Sequence, residues 1–76
     1  MRKNPALKLL GGQIRKLREE KGFSQEGFAS DMGMDRAYYG GVERGERNVA
    51  ALNLIRIAQA LGVKVGDLFA QVEARK

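Results

Sequence analysis

Arg36, Tyr38, Arg44 and Arg47 are the side chains whose types and spacing could do chemistry in this sequence, and that chemistry is recognition rather than bond making. A guanidinium can bridge O6 and N7 of guanine in the DNA major groove and discriminate by about 1 to 3 kcal/mol. Arg36 is the best candidate for such a contact; the alternative is a solvated arginine beside Asp35. Tyr38 could pack on a thymine methyl group or donate to a phosphate, while an exposed tyrosine partly covering the core is the other reading. Arg44 and Arg47 could reach the sugar-phosphate backbone, where contacts position a protein without reading sequence. Ordinary surface arginines are the alternative for both.

The elements that must hold these residues lie between 23 and 45, FSQEGFASDMGMDRAYYGGVERG. Ser24 is a good N-cap, Gln25 and Glu26 open a first turn, and Phe28, Ala29 and Met32 follow at helical spacing. Gly33 breaks that run, supplying the positive φ at which a helix stops and turns. Asp35 restarts the chain as a second N-cap whose carboxylate suits the positive helix end. Tyr39 and Val42 mark the buried side of the next helix, Arg36, Ala37, Tyr38, Gly40, Gly41 and Arg44 its other faces, and Gly45 its end. Two capped short helices around a glycine predict a helix-turn-helix, the pattern that lets a helix lie in a major groove. Met32 and Met34 bracket the turn as gap-filling core residues rather than a metal site.

Composition narrows the classes further. The chain has 76 residues, no cysteine and no histidine, which removes disulfides, structural zinc, thiol nucleophiles and the usual proton shuttle. The carboxylates Glu19, Glu20, Glu43 and Glu46 fall on a solvated face, in a cap pair or in a connector, so no enzyme, metal site or cofactor is expected. No stretch approaches the roughly 20 apolar residues of a membrane span, and MRKNPALKLLGG is too short and too soon broken for a secretory signal. The expectation is one soluble, unexported domain over 1 to 76, working in a reducing cytoplasm.

The net charge is +5 with a pI near 10.0, which suits an anionic partner. Its distribution is uneven. Residues 1 to 21 carry seven basic and two acidic side chains, residues 22 to 47 three and five, and residues 48 to 76 four and two. Charge alone would point to the N-terminal helix, where Lys8, Arg15 and Lys16 form a solvated face able to steer long-range approach. The case for nucleic acid therefore rests on geometry.

Five short helices account for the sequence. Asn4 and Pro5 start the first, whose buried stripe is Leu7, Leu10, Ile14 and Leu17; Gly11 and Gly12 weaken its middle and could split off the first turn. Lys21 and Gly22 end it. Helices two and three fill 25 to 32 and 36 to 44. Helix four runs from about 51 to 61 with Leu54, Ile57, Ala58 and Leu61 at core spacing, and Gly62 stops it. A fifth from about Val65 carries Leu68, Phe69 and Val72 and should fray over 73 to 76, while 1 to 5 form a loose arm in which Arg2 and Lys3 could follow a nucleic-acid backbone or simply be a disordered start.

Leu52 and Ile55 exceed what a monomer core needs on helix four. With Val65, Phe69 and Val72 they compose a plausible two-fold interface, which would set two recognition helices about 34 Å apart and imply a palindromic site. Intramolecular packing against helix five is the alternative. A domain this small buries only about 60% of its unfolded surface, so dimerisation would supplement a thin core.

The elements RxLRxxKGxSQ at 15 to 25, ERG at 43 to 45 and IAxALGV at 57 to 63 together resemble the Cro and phage-repressor, or XRE, type of helix-turn-helix regulator over residues 7 to 72. YYGGVERGERNVAALNLIRIAQALGV at 38 to 63 is similar to small controller proteins of restriction-modification systems. The resemblance implies an all-α, compact five-helix lambda-repressor-like domain with the helix-turn-helix at helices two and three. It implies that Gln25, with Ser24 beside it, binds a phosphate, that Arg36, Ala37 and Tyr38 face base edges, and that Gly41 also faces the groove. Relatives often carry a long polar side chain there; Gly40 and Gly41 ask for either close approach of backbone to DNA or mere tolerance. It further implies that Glu43 pairs with Arg18, fixing the angle between helix one and the reading head.

The function expected is a homodimeric, sequence-specific regulator that binds double-stranded operator DNA with helix three in the major groove and blocks or recruits RNA polymerase. The alternative is an antitoxin-like or other protein-interaction module that uses the Leu52 and Ile55 surface and touches DNA secondarily.

Overall fold

The computed structural model describes residues 4 to 74. The order is α1 Pro5–Glu20, α2 Gln25–Asp31, α3 Arg36–Glu43, α4 Ala51–Leu61, α5 Val65–Leu68 and α6 Ala70–Ala74. Arg2 and Lys3 of the expected arm, and the last two residues of the expected frayed end, lie outside that range. Among the described residues the architecture is all-α, and no helix is long and apolar enough to cross a membrane.

Local chemistry starts each of the first three helices. Asn4 Oδ1 accepts from Ala6 N at 2.8 Å, Ser24 Oγ from Gly27 N at 3.0 Å and Asp35 Oδ1 from Tyr38 N at 2.9 Å, each satisfying an otherwise unpaired amide of a first turn. Between α2 and α3, Gly33 has φ +65°. Met34 N donates to Ala29 O and Gly33 N to Ser30 O, both at 2.9 Å, the pair of bonds that closes a helix when the residue beyond its cap is left-handed.

Two expectations about helices are corrected. α1 runs unbroken through Gly11 and Gly12, because Gly11 is a packing position: it is buried against the backbone of α3 at Val42 and Glu43. The fifth helix divides at Phe69, whose amide donates to Gly66 O at 3.0 Å. That three-residue bond tightens the turn and separates α5 from α6, giving six helical segments.

α1 packs on α3 and α6, α2 packs on α3, and α4 meets α5. Ile14, Phe28, Ala29, Tyr39, Val42, Ile57, Ala58, Leu61 and Leu68 form the centre of the core, with Leu10 and Met34 at its margin. Leu7, Leu17, Met32 and Leu54 are only half-buried around it. Phe28 and Tyr39 meet edge to face, with ring centroids 5.5 Å apart and planes at 65°, which locks α2 against α3.

Candidate nucleic-acid interface

α3 is held from beneath and open at its N-terminal end. Tyr39 and Val42 point into the core, whereas Arg36 and Ala37, the first two residues after the Asp35 cap, are exposed. Tyr38 is half-buried. A helix short enough to be fixed by one turn of core contacts thus presents Arg36 and Ala37 of its first turn to solvent.

Beneath it lies a buried polar cluster. Arg18 and Glu43 are each 6% exposed. Arg18 Nε donates to Glu43 Oε2 at 2.7 Å and its Nη2 to Oε1 at 3.1 Å, a two-pronged contact suited to the planar guanidinium. The same carboxylate accepts from Tyr39 Oη at 2.5 Å and from Gln25 Nε2 at 3.1 Å, and Arg18 Nη1 also donates to Phe23 O at 2.7 Å. Residues from α1, α2 and α3 are therefore joined through one carboxylate, and the loop between the first two is tied to the cluster through Arg18.

The electrostatics follow from that satisfaction. Burial by itself would raise the Glu43 carboxyl, but the hydrogen bonds from Arg18, Tyr39 and Gln25 outweigh it and hold the group below its ordinary range. Burial, and then the bond to ionised Glu43, push the Tyr39 hydroxyl far up, while the bond to Glu43 raises Arg18. All three groups keep one protonation state across the neutral range. The cluster braces rather than switches.

The remaining residues singled out in the sequence divide by location. Ser24 accepts the Gly27 amide, and Gln25 spends one amide hydrogen on Glu43, so both stand at the α2 entrance with donors still to offer. Arg44 is exposed, with Nε 3.1 Å from Glu46 Oε1. Arg47 is exposed as well. Gly41, expected to face a groove, is buried beneath the Arg47 side chain, and Gly40 beneath those of Arg44 and Gln25. Leu52, Ile55 and Val65 are 67%, 42% and 37% exposed, while Phe69 and Val72 are half-buried against the core. Val72 also lines a shallow cavity with Asn4, Pro5, Ala6 and Leu9.

Sequence reading passed over Asn53 and Arg56 of α4. Arg56 Nη2 donates to Met32 O at the end of α2, its Nη1 to Asn53 Oδ1 at 3.3 Å, and Asn53 Nδ2 to Tyr38 Oη at 3.2 Å. This relay ties the turn of the helix-turn-helix and the phenol of α3 to a third helix. Its only sequence signal is two polar residues interrupting the apolar face of α4.

Comparison with known proteins agrees with this geometry. The helix-turn-helix family HTH_3 matches residues 14–68. Control protein C.MunI from Mycoplasma sp is 44% identical over 64 residues, covering 83% of this chain and 86% of that one. The crystal structure of the restriction-modification controller C.AhdI from Aeromonas hydrophila superposes with a TM-score of 0.80 at 48% identity, over 83% of this chain and 96% of the other. The controller C.Esp1396I, solved as a tetramer in complex with its natural 35 base-pair operator, gives a TM-score of 0.79 at 32% identity over 93% of both chains. With α3 braced from beneath, its first turn exposed, and matches across most of its length, the chain belongs to the XRE-type helix-turn-helix family HTH_3, among relatives that include restriction-modification controller proteins.

Proposed function

We propose that this protein is a sequence-specific transcriptional regulator that binds a palindromic double-stranded operator as a homodimer, with α3 in the major groove. The observation that carries the reading is the first turn of α3: Arg36 and Ala37 exposed above a core that immobilises Tyr39 and Val42. In this reading Arg36, Ala37 and Tyr38 meet base edges, and Ser24, Gln25 and Arg44 hold phosphates. The operator complex of the related C.Esp1396I supports DNA as the partner.

Dimerisation would use Leu52, Ile55 and Val65, with the edges of Phe69 and Val72 adding to the apolar area. Two copies related by a two-fold axis would offer two α3 helices to successive major grooves. Occupying such a site in the cytoplasm would block or recruit RNA polymerase.

Selection of bound duplexes from a randomised library, paired with sedimentation of the protein alone, tests the reading. The expected result is an inverted repeat with half-sites one helical turn, or a multiple of it, apart, bound by a dimer with affinity falling steeply as salt rises. Equal affinity for every duplex at fixed salt would overturn it.

A further inference from the structure

We propose that Asn53 and Arg56 of α4 are positioning residues for DNA recognition, which set the Tyr38 phenol as a hydrogen-bond donor to an acceptor on the operator. The proposal rests on the operator-binding reading above. It follows from which groups along the relay can give a hydrogen and which can take one. A guanidinium has donors only, so the Asn53 amide must turn its oxygen towards Arg56, and Nη1 donates to that Oδ1 at 3.3 Å. The amide nitrogen then faces the other way, and Nδ2 donates to Tyr38 Oη at 3.2 Å. The phenol oxygen is thereby used as an acceptor, and its own hydrogen is left over. Among the described residues no acceptor takes it.

Both ends of the relay are anchored. Arg56 Nη2 donates to Met32 O at the C-cap of α2, and Asn53 and Arg56, three residues apart, are neighbours on one face of α4. At the other end the Tyr38 ring packs against the core, and Arg47 Cζ lies 6.0 Å from its centroid, within reach of a cation–π attraction. The phenol has therefore given up part of its rotamer freedom before DNA arrives. Every hydrogen in the chain points from the charged Arg56 towards α3, so each bond polarises the next and strengthens the final O–H as a donor. Tyr38 stands in the first turn of α3, beside the exposed Arg36 and Ala37. A nucleic-acid acceptor meeting that turn, whether a base-edge atom or a phosphate oxygen, completes the chain.

The test is a double-mutant cycle on the duplex that wild type selects. Wild type, Asn53→Asp, Tyr38→Phe and the two changes together are titrated at fixed salt, with helical circular dichroism and melting recorded for each. Aspartate keeps the shape of asparagine but only accepts, so it stays paired with Arg56 and draws the phenol hydrogen back towards α4. Asn53 is the third residue of α4, where a carboxylate suits the helix end, so helicity and melting should hold. The added charge repels DNA with either residue at position 38, and the cycle subtracts that part. The expected result is that Asn53→Asp costs about three- to tenfold more affinity beside Tyr38 than in the Tyr38→Phe background. Single-base variants of the duplex locate the acceptor: a loss confined to one position assigns it to a base edge, a uniform loss to a phosphate oxygen. Equal losses in the two backgrounds, or a Tyr38→Phe variant with wild-type affinity, overturn this inference alone. If Asn53→Asp fails to fold, Asn53→Leu, which removes the amide and adds no charge, takes its place with the same expectation. A wild type that selects no sequence overturns the operator reading and this one with it.

Discussion

The carbonyl oxygen of Val42 occupies the space where a side chain at Gly11 would begin: a β-carbon built on Gly11 would lie 2.2 Å from it and 2.5 Å from Glu43 O. Backbone cannot yield as a flexible side chain can, so any residue larger than glycine would push α1 off α3. Gly11→Ala should lower stability by at least the roughly 1 to 3 kcal/mol of an overpacked core. Gly12, next along the same helix, has open space around its missing β-carbon, and Gly12→Ala should stabilise by about 0.5 to 1 kcal/mol through helix propensity. Urea unfolding of the two variants checks this contrast; a stabilised Gly11→Ala would refute the close crossing.

Removing Arg18 would strand the Glu43 carboxylate in the core with only Tyr39 and Gln25 as donors. Arg18→Ala is expected to cost about 3 to 5 kcal/mol, the usual penalty for breaking a buried pair from one side. In a domain of this size that is most or all of the folding free energy. Circular dichroism at rising temperature would show a variant unfolded near room temperature, and an unchanged melt would mean the pair carries no weight.

Stability should fall at both pH extremes for separable reasons. Glu43 is held below its ordinary 4.5, so on the acid side the unfolded chain binds a proton that the folded one refuses. That contribution is complete above 4.5 and is lost as pH falls through the folded value. Tyr39 is held above its ordinary 10.0, so on the alkaline side the unfolded chain gives up a proton that the folded one keeps. That contribution is complete below 10.0 and declines as pH rises beyond it. Urea midpoints across pH should show a broad neutral plateau, and Tyr39→Phe should flatten the alkaline limb while leaving the acid one sloping.

On operator DNA, Arg36→Ala should lose about 1 to 3 kcal/mol of discrimination at one base position in each half-site. Arg44→Ala should weaken all duplexes alike and reduce the salt slope by about one unit. Gel-shift titrations against single-base operator variants at several salt concentrations separate the two; identical behaviour would erase the distinction between reading and positioning.

Leu52→Glu, at the most exposed large apolar side chain among the described residues, should convert the proposed dimer to a monomer of unchanged helicity. Operator affinity should then fall and depend more steeply on protein concentration. Sedimentation equilibrium provides the check, and a variant that remains dimeric would place the two-fold contact elsewhere.

The helix-turn-helix was legible in the sequence because caps and turns are local chemistry. Ser24, Gly33 and Asp35 act on amides within a few residues of themselves. What could not be read depends on partners far along the chain. Gly11 looked like a flaw in α1 because propensity is a property of one helix, whereas the reason for this glycine belongs to α3. Asn53 and Arg56 looked like ordinary polar residues because their partners, Tyr38 and Met32, lie 15 and 24 positions away. The single-residue break at Phe69 follows from one tightened hydrogen bond that no periodicity records.

The Asn53 to Tyr38 bond has a mechanical consequence for a two-fold assembly. Asn53 stands next to Leu52 in the unbroken helix Ala51–Leu61, so a partner docked on the outer side of that rod would be coupled to the phenol without an intervening hinge. Such a stiff frame could not follow half-sites moved apart by one inserted base pair, which would turn the second groove by about a tenth of a revolution. Operator spacing would be enforced as strictly as operator sequence.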